Sequence, residues 1–261
     1  MKIVVAIKQV PDLGEDLPLA ADRRSIATEG ADWDLAEGDL CAIEAALELR
    51  EAAGRGEVVV ISVSEPEARG GVLTALALGA DRAVVVWHDA AQELDELTVG
   101  RVLSSVVERE APDLVLCASG SDGGSEAAGV ALAAFMGLPR VTAVRRVEHD
   151  LERGAATVER ALPGGHVERL EVRTPALITV ADGAYRPRYG TLGGIRLAWR
   201  KPFEVLTIEE TGIDPDALDA ARGARVRALA RAPTPARAEM IEGSPEEIAE
   251  RIADIIKGRV N

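Results

Sequence analysis

The chain has 261 residues, of which 47% are hydrophobic and only 3% are aromatic, and its formal net charge is −14. The hydrophobic share is enough for one large domain or a domain with extensions, while the low aromatic content leaves few rings to enclose a flavin or stack on a base. The negative charge argues against a nucleic-acid binder and against docking on an anionic membrane.

Two features of the sequence bear on the compartment of the protein. No stretch is long and apolar enough to span a bilayer, and the apolar N-terminus is too short for a secretory signal peptide. The two cysteines, Cys41 and Cys117, lie in apolar surroundings, which is typical of buried thiols rather than of a disulfide framework. We therefore expect a soluble cytoplasmic protein without direct membrane insertion.

Short apolar runs alternate with helical patterns through the first half of the chain. The runs predict strands at residues 2–7, 57–63, 81–87 and 113–117, and the helical patterns predict helices at residues 40–53, 68–78, 98–110 and 126–136. Near-continuous apolar strands that alternate with helices are typical of a parallel sheet covered on both faces. Residues 13–38 are expected to be irregular, and Pro11 is expected to end the first strand.

The pattern changes after Gly137. Strands predicted at residues 140–149, 155–162 and 167–172 indicate an antiparallel excursion, and residues 176–180 form another apolar strand. The predicted fold class is α/β, with a doubly wound, mostly parallel sheet, helices on both faces, an antiparallel excursion, and an extended C-terminal arm with a helix. We expect the α/β domain to span residues 1–205 and the arm to span residues 206–261.

The helix of the arm has a well-marked start. Ser244 is the expected N-cap, Pro245 the first helical residue, and Glu247 the partner of Ser244 in a capping box. One face of this helix carries an apolar stripe of four isoleucines, Ile248, Ile252, Ile255 and Ile256. An amphipathic helix on an extended arm is expected to dock either on its own domain or on a partner subunit.

A Gly/Ser-rich loop joins the strand at residues 113–117 to the helix at residues 126–136. Small residues ahead of a helix start present backbone N–H groups and the positive end of the helix dipole, which together suit an anion. Ser121, Asp122 and Ser125 add polar groups able to contact a nucleotide, and Lys8 lies at the carboxyl end of the first strand, where open parallel sheets bind ligands. The alternatives are an ordinary strand-to-helix turn capped by Ser125 and a plain polar loop at Lys8.

Residues 186–202 differ from the acidic sequence around them. The segment carries five basic residues, Arg186, Arg188, Arg196, Arg200 and Lys201. Four apolar residues lie among them, Leu192, Ile195, Leu197 and Trp199. This mixture predicts either a docking surface that includes Ile195, Arg196 and Trp199, or a solvated basic face whose apolar residues pack into the protein's own core.

Several segments together resemble the β subunit of electron transfer flavoproteins. Residues 1–12 resemble that family's opening, and residues 187–192 resemble its recognition loop. The other matching segments are residues 42–47 and 73–83 in the first two helices, residues 158–179 in the antiparallel excursion, and residues 238–243 in the arm. The resemblance therefore covers essentially the whole chain.

The resemblance implies a heterodimer in which an α subunit carries most of the FAD site and the β subunit contributes some contacts. It also implies that this chain binds AMP, or a second FAD as in electron-bifurcating members. Carried over by position, the nucleotide contacts are Ala6, Lys8 and Val10 on one side and Asp122, Gly123, Gly124, Ser125, Ala127 and Ala128 on the other. Leu192 matches the hydrophobic anchor with which the family binds partner dehydrogenases.

The nucleotide loop departs from the family's patterns. AMP-binding members carry Asp-Asp-Asp-Ser-Asn-Gln-Thr and bifurcating members carry Asp-Gly-Asp-Thr-Ala-Gln. This chain has Gly124 in place of the second Asp and Ala127 in place of the Gln, and Ala36 replaces an Asn ahead of the first helix. The lost amide and carboxylate contacts are expected to weaken recognition of the base or ribose while leaving the backbone cradle for phosphate.

Two functions of different classes follow from these patterns. In the first, the chain is a carrier subunit that passes electrons from a flavin-linked dehydrogenase through FAD to a downstream acceptor, with no catalytic residue of its own because the cofactor carries the redox chemistry. In the second, it is a non-redox nucleotide-binding module of the same fold, with an intact or a degenerate site. The scattered histidines His88, His149 and His166 favour neither a metal site nor a catalytic triad.

Overall fold

The computed structural model of the protein describes residues 1–13, 18–89, 91–120, 126–220, 222–231 and 240–260. The strands are β1 (Lys2–Ala6), β2 (Gln9–Asp12), β3 (Asp32–Leu35), β4 (Glu57–Ser64), β5 (Arg82–Trp87), β6 (Leu114–Ala118), β7 (Arg140–Asp150), β8 (Ala155–Ala161), β9 (Val167–Arg173), β10 (Ala176–Val180) and β11 (Phe203–Leu206). The helices are α1 (Glu37–Ala52), α2 (Gly70–Leu78), α3 (Glu96–Glu110), α4 (Glu126–Met136), α5 (Leu192–Ala198), α6 (Pro215–Ala220) and α7 (Pro245–Val260).

Nine strands of the described residues form one sheet in the order β11-β5-β4-β1-β6-β10-β7-β8-β9. Neighbouring strands are parallel from β11 through β7, whereas β7 with β8 and β8 with β9 pair antiparallel. The predicted α/β fold with a mostly parallel sheet is therefore confirmed, and the antiparallel excursion forms one edge of that sheet.

The central strands are buried on both faces, as their continuous apolar sequence predicts. In β1, Ile3 and Val5 pack into the hydrophobic cluster beneath α1 and α2, while Val4 and Ala6 pack into the cluster beneath α3 and α4. This alternation follows from the two-residue repeat of a strand. It leaves the strand ends and the connecting segments as the places where polar groups gather.

The expectation that residues 13–38 are irregular is wrong for the C-terminal part of this segment. There β3 pairs antiparallel with β2, and Pro11 lies inside β2 opposite Trp33 instead of ending β1. Gln9 ties this hairpin to the start of α2, because its side-chain amide donates to the carbonyl of Ala68 and its oxygen accepts the N–H of Val72 at 3.2 Å. Each strand of this hairpin has only four residues, which is too short for a periodic pattern, and the contacts that stabilise the hairpin come from residues distant in sequence.

Predicted helix ends are confirmed where capping residues mark them. Gly79 ends α2 with a φ of 136°. At the start of α7, the N–H of Glu247 donates to Ser244 Oγ at 3.3 Å, and the N–H of Ser244 donates to Glu247 Oε2 at 2.8 Å. The two reciprocal bonds are the predicted capping box.

Contacts between residues divide the chain into a unit of residues 1–229 and a unit of residues 230–261 that contains α7. The boundary expected after residue 205 stays a prediction. None of the helices in the described ranges combines the length and the apolar character needed to cross a membrane.

Helices α3 and α4 approach closely at Gly100, and this contact yields a stability prediction. A Cβ at Gly100 would lie 2.8 Å from the carbonyl oxygen of Ala128 and 2.7 Å from Cβ of Ala131. Gly100→Ala should therefore lower the free energy of unfolding by about 1–3 kcal/mol through overpacking. Gly193→Ala in α5 is the control, because its Cβ meets only ordinary contacts and alanine favours a helix by up to about 1 kcal/mol. Urea unfolding measures both, and equal stability of the two variants would contradict the overpacking.

Candidate functional site

The carboxyl ends of β1, β4 and β6 border a cavity that extends toward the starts of α3 and α4. Its lining includes Ala6, Lys8, Asp39, Glu96, Cys117 and Ala128. The structure thus brings together three of the residues expected to contact a nucleotide, Ala6, Lys8 and Ala128. Val10 lies in β2 of the neighbouring hairpin, and Ala127 lies in the first turn of α4.

Four of the other expected contacts belong to the segment between β6 and α4. Asp122, Gly123, Gly124 and Ser125 lie outside the described residues. The assignment of all nine residues to a nucleotide site therefore stays a prediction.

Asp39 is an acidic residue of the cavity wall that bonds directly to the Lys8 backbone, and it is not among the site residues expected from the sequence. It is only 2% exposed, and its Oδ2 accepts the backbone N–H of Lys8 at 3.3 Å. Burial raises the pKa of Asp39 to about 7, against the lowering effect of Lys8. A position in the first turn of a helix by itself indicates only a favourable contact with the helix dipole. The burial depends on tertiary packing.

Lys8 supplies positive charge to the same cavity. Burial lowers the pKa of its ammonium group, while the nearby carboxylates of Glu96 and Asp39 raise it. Asp39 and Lys8 thus lie close enough to affect each other's ionisation. The charge on this wall depends on whether Asp39 holds its proton.

Small residues bring the cavity walls together. A side chain at Gly129 would collide with Sγ of Cys117, so α4 lies directly against β6. Burial raises the pKa of the Cys117 thiol to about 12, which keeps it protonated at neutral pH. Both cysteines are buried and free, as the sequence predicts.

Helix α1 lines the cavity through Asp39, and the neighbouring Gly38 lets the start of the helix pack closely against the sheet. A Cβ at Gly38 would contact the carboxylate of Asp182 and the carbonyl of Gly120, so the helix start lies against the ends of β10 and β6. The N-cap of α1 is Ala36, which makes no side-chain hydrogen bond. The helix start therefore has no capping side chain at this position.

A second candidate surface lies on α5, which Thr191 caps by accepting the N–H of Gly194 at 3.0 Å. Leu192 is 81% exposed and Trp199 is 71% exposed, so the expectation that the apolar residues pack into the core is wrong for both. Ile195 and Trp199 line a groove together with residues of α2. We call the set Leu192, Ile195, Arg196 and Trp199 the docking face.

The basic residues around the docking face divide into two groups. Arg186, Arg196 and Arg200 are exposed. Arg188 instead forms ion pairs with Glu44 and Glu51, and Lys201 donates to the carbonyls of Leu76 at 2.8 Å and Ala80 at 2.6 Å. The surface is therefore less basic than the sequence suggested, because two of its five cations point inward.

The raised pKa of Asp39 predicts that stability depends on pH. Between about pH 4, the ordinary pKa of an aspartate, and about pH 7, the folded protein keeps a proton that the unfolded chain has released. The free energy of unfolding should therefore fall as pH rises through this window, by up to about 1.4 kcal/mol per pH unit, and level off above it. Asp39→Asn should remove this slope.

Urea unfolding between about pH 5 and about pH 8 measures the slope. The control is Asp32→Asn, which removes an exposed carboxylate from β3 and should keep the wild-type pH dependence. The same pH dependence in Asp39→Asn as in the wild type would show that Asp39 is not the group responsible.

Comparison with known proteins identifies the family of the chain. A family model described as electron transfer flavoprotein domain matches residues 24–234. The electron transfer flavoprotein subunit beta of Methylophilus methylotrophus is 36% identical over 259 residues, which cover 98% of each chain. That of Thermoanaerobacterium thermosaccharolyticum is 32% identical over 99% of each chain, and the mitochondrial protein of Arabidopsis thaliana is 31% identical over 82% of this chain and 84% of its own.

The family match spans well over half of the chain, and the bacterial relatives align with it from end to end. These similarities confirm the resemblance that the sequence motifs indicated. The chain belongs to the family of electron transfer flavoprotein β subunits.

Proposed function

We propose that the chain is the β subunit of a heterodimeric electron transfer flavoprotein. In this role it pairs with an α subunit, shares an FAD with it, and passes electrons from a flavin-linked dehydrogenase to a downstream acceptor. The observation that carries the proposal is the end-to-end similarity to a protein named electron transfer flavoprotein subunit beta. The FAD, when bound, supplies the redox chemistry, and the protein supplies its placement.

The cavity at the ends of β1 and β6 is the proposed site for AMP or a second FAD. Ala6 and Ala128 provide small apolar contacts, and the ammonium group of Lys8 suits an anionic ligand. The ionised carboxylate of Asp39 repels an anionic ligand, whereas the protonated carboxyl group does not. The ammonium group of Lys8 therefore supports the proposal that this cavity holds the phosphate of a nucleotide.

The docking face is the proposed contact for the dehydrogenase. Its apolar side chains are exposed on a short helix, and an exposed apolar group bordered by polar residues is typical of an interaction site. The alternative, a non-redox nucleotide-binding module, has no need of such a face or of the arm. The arm with α7 is proposed to dock on the α subunit, because its isoleucine stripe needs an apolar partner.

The nucleotide content of the heterodimer tests the proposed site. The complex of this chain with its α subunit, once purified and denatured, should release FAD and AMP in equal amounts, or two FAD for each heterodimer if the second nucleotide is a flavin. Chromatography of the released nucleotides distinguishes these cases. Lys8→Met should lower the content of the second nucleotide but not of the shared FAD, and Lys8→Arg, which keeps the charge, should retain more of it.

Two other results would contradict parts of this proposal. FAD without AMP would mean that the replaced contacts at Gly124 and Ala127 have left the site unable to hold a nucleotide. A colourless chain that forms no complex with a flavin-containing partner would support the non-redox module instead.

Leu192→Ala tests the docking face. An exposed hydrophobic anchor contributes about 1–2 kcal/mol at an interface, so kcat/KM for reduction by the donor dehydrogenase should fall about five- to thirtyfold. The FAD content should not change. Leu151→Ala, which truncates an exposed leucine in the β7–β8 turn, is the matched control and should leave the rate unchanged. Loss of FAD from Leu192→Ala would show that Leu192 is structural.

A further inference from the structure

The segment between β10 and α5 lies along one side of α1. Near the start of the helix, Gly38 contacts Asp182, and Sγ of Cys41 donates to the carbonyl of Tyr185 at 3.3 Å. Further along, Arg188 reaches Glu44 and then Glu51 in the last turn. The chain that leads into the docking face is thus fixed to α1 at successive turns.

The contact between Arg188 and Glu44 is the strongest of these. The guanidinium donates to both carboxylate oxygens of Glu44, at 2.8–3.0 Å, and the backbone N–H of Arg188 donates to Glu44 Oε2 at 3.0 Å. Another guanidinium nitrogen donates to Glu51 at 2.7 Å. Such paired bonds fix the direction of a side chain as well as its distance. We call Arg188, Glu44 and Glu51 the clamp.

The burial of the clamp indicates a structural task for Arg188 instead of direct contact with a partner. The Glu44 side chain is 7% exposed, so its carboxylate is shielded from solvent, whereas the side chains of Arg188 and Glu51 are 33% and 52% exposed. Because its nitrogens already face two carboxylates, the guanidinium is directed into the protein. A buried carboxylate needs such a partner, so the loop has little freedom to leave α1.

The clamp lies close in sequence to the docking face. Three residues separate Arg188 from Leu192, and the last of them, Thr191, caps α5. Beyond α5, Lys201 is held by the carbonyls at the end of α2, and a Cβ at Gly194 would contact the carbonyl of Ala77. The docking face is therefore anchored before, beneath and after the helix.

We infer that Arg188 is a positioning residue for partner docking, which acts by holding the start of α5 to Glu44 of α1. The inference rests on the docking role proposed above for Leu192. A docking face that is already ordered loses less conformational entropy when a partner binds, so the clamp strengthens association without touching the partner. It should act on KM for the donor and not on the electron-transfer step.

Paired charge variants of the heterodimer separate positioning from electrostatic attraction. Arg188→Gln makes the chain one unit more negative and Glu44→Gln makes it one unit less negative, so an electrostatic effect would change KM in opposite directions. Positioning predicts that both raise KM for the donor dehydrogenase about three- to tenfold, with kcat and FAD content unchanged. Arg55→Gln and Glu48→Gln are matched controls, because both residues are exposed and carry the same charges.

Hydrogen exchange gives a readout that does not depend on the donor. Amides of residues 189–199 should exchange about tenfold faster in Arg188→Gln and in Glu44→Gln than in the controls, because the segment opens more often. Arg188→Lys, which keeps the charge but loses the planar fork, should show a smaller increase and should recover part of the KM effect. Glu44→Gln retains a hydrogen-bond acceptor, and so provides a folded variant if Arg188→Gln does not fold.

Leu192→Ala, measured alongside, distinguishes failure of the inference from failure of the proposed function. If Leu192→Ala raises KM while the clamp variants leave KM or the exchange of residues 189–199 unchanged, docking stands and the positioning role is wrong. If Leu192→Ala leaves KM unchanged, α5 is not the docking surface, and the positioning role fails with it. Opposite changes of KM in Arg188→Gln and Glu44→Gln would also overturn it in favour of an electrostatic effect.

Discussion

The burial of both faces of β1 and β6 is the constraint on which the rest of the structure depends. Side chains such as Val4, Val5, Val115 and Leu116 are completely buried, and each contributes about 1.5–3 kcal/mol when removed from water. Strands covered on both sides leave no room for polar groups along their length. Charged and ligand-binding groups are therefore confined to the strand ends and to the segments that connect the layers.

Helix α1 links the two candidate surfaces because it carries a buried carboxylate for each. Asp39 in its first turn accepts the N–H of Lys8 at the cavity, and Glu44, five residues further on, accepts hydrogen bonds from Arg188, which lies just before the docking face in sequence. An unpaired buried carboxylate is costly, so each acid fixes the segment that supplies its partner. The same helix thus determines where the segment after β1 and the loop before α5 must lie.

The parts of the fold that follow from local rules could be predicted from sequence. The central strands are recognisable as apolar runs, and Gly79 and Ser244 mark helix ends through their own chemistry. The β2–β3 hairpin could not be predicted, since Gln9 contacts residues 59 and 63 positions away. At the candidate site, Lys8 could be assigned to the right strand end by topology alone. The burial of Asp39 depends on packing between elements that no local pattern encodes.

The clamp could not be predicted from local sequence patterns either. Composition alone made residues 186–202 a basic surface, yet Arg188 pairs with a residue 144 positions earlier and Lys201 binds carbonyls 125 and 121 positions earlier. With these two cations paired inside the protein, the surface that remains combines the exposed Arg186, Arg196 and Arg200 with apolar side chains at one short helix. A small contact is typical of transient complexes, and the proposed carrier role requires release of the donor after each transfer. Holding the docking face rigid is a way to make it specific without enlarging it. Order in the free protein lowers the conformational entropy that is lost on binding. It adds no contact with the partner that would slow release.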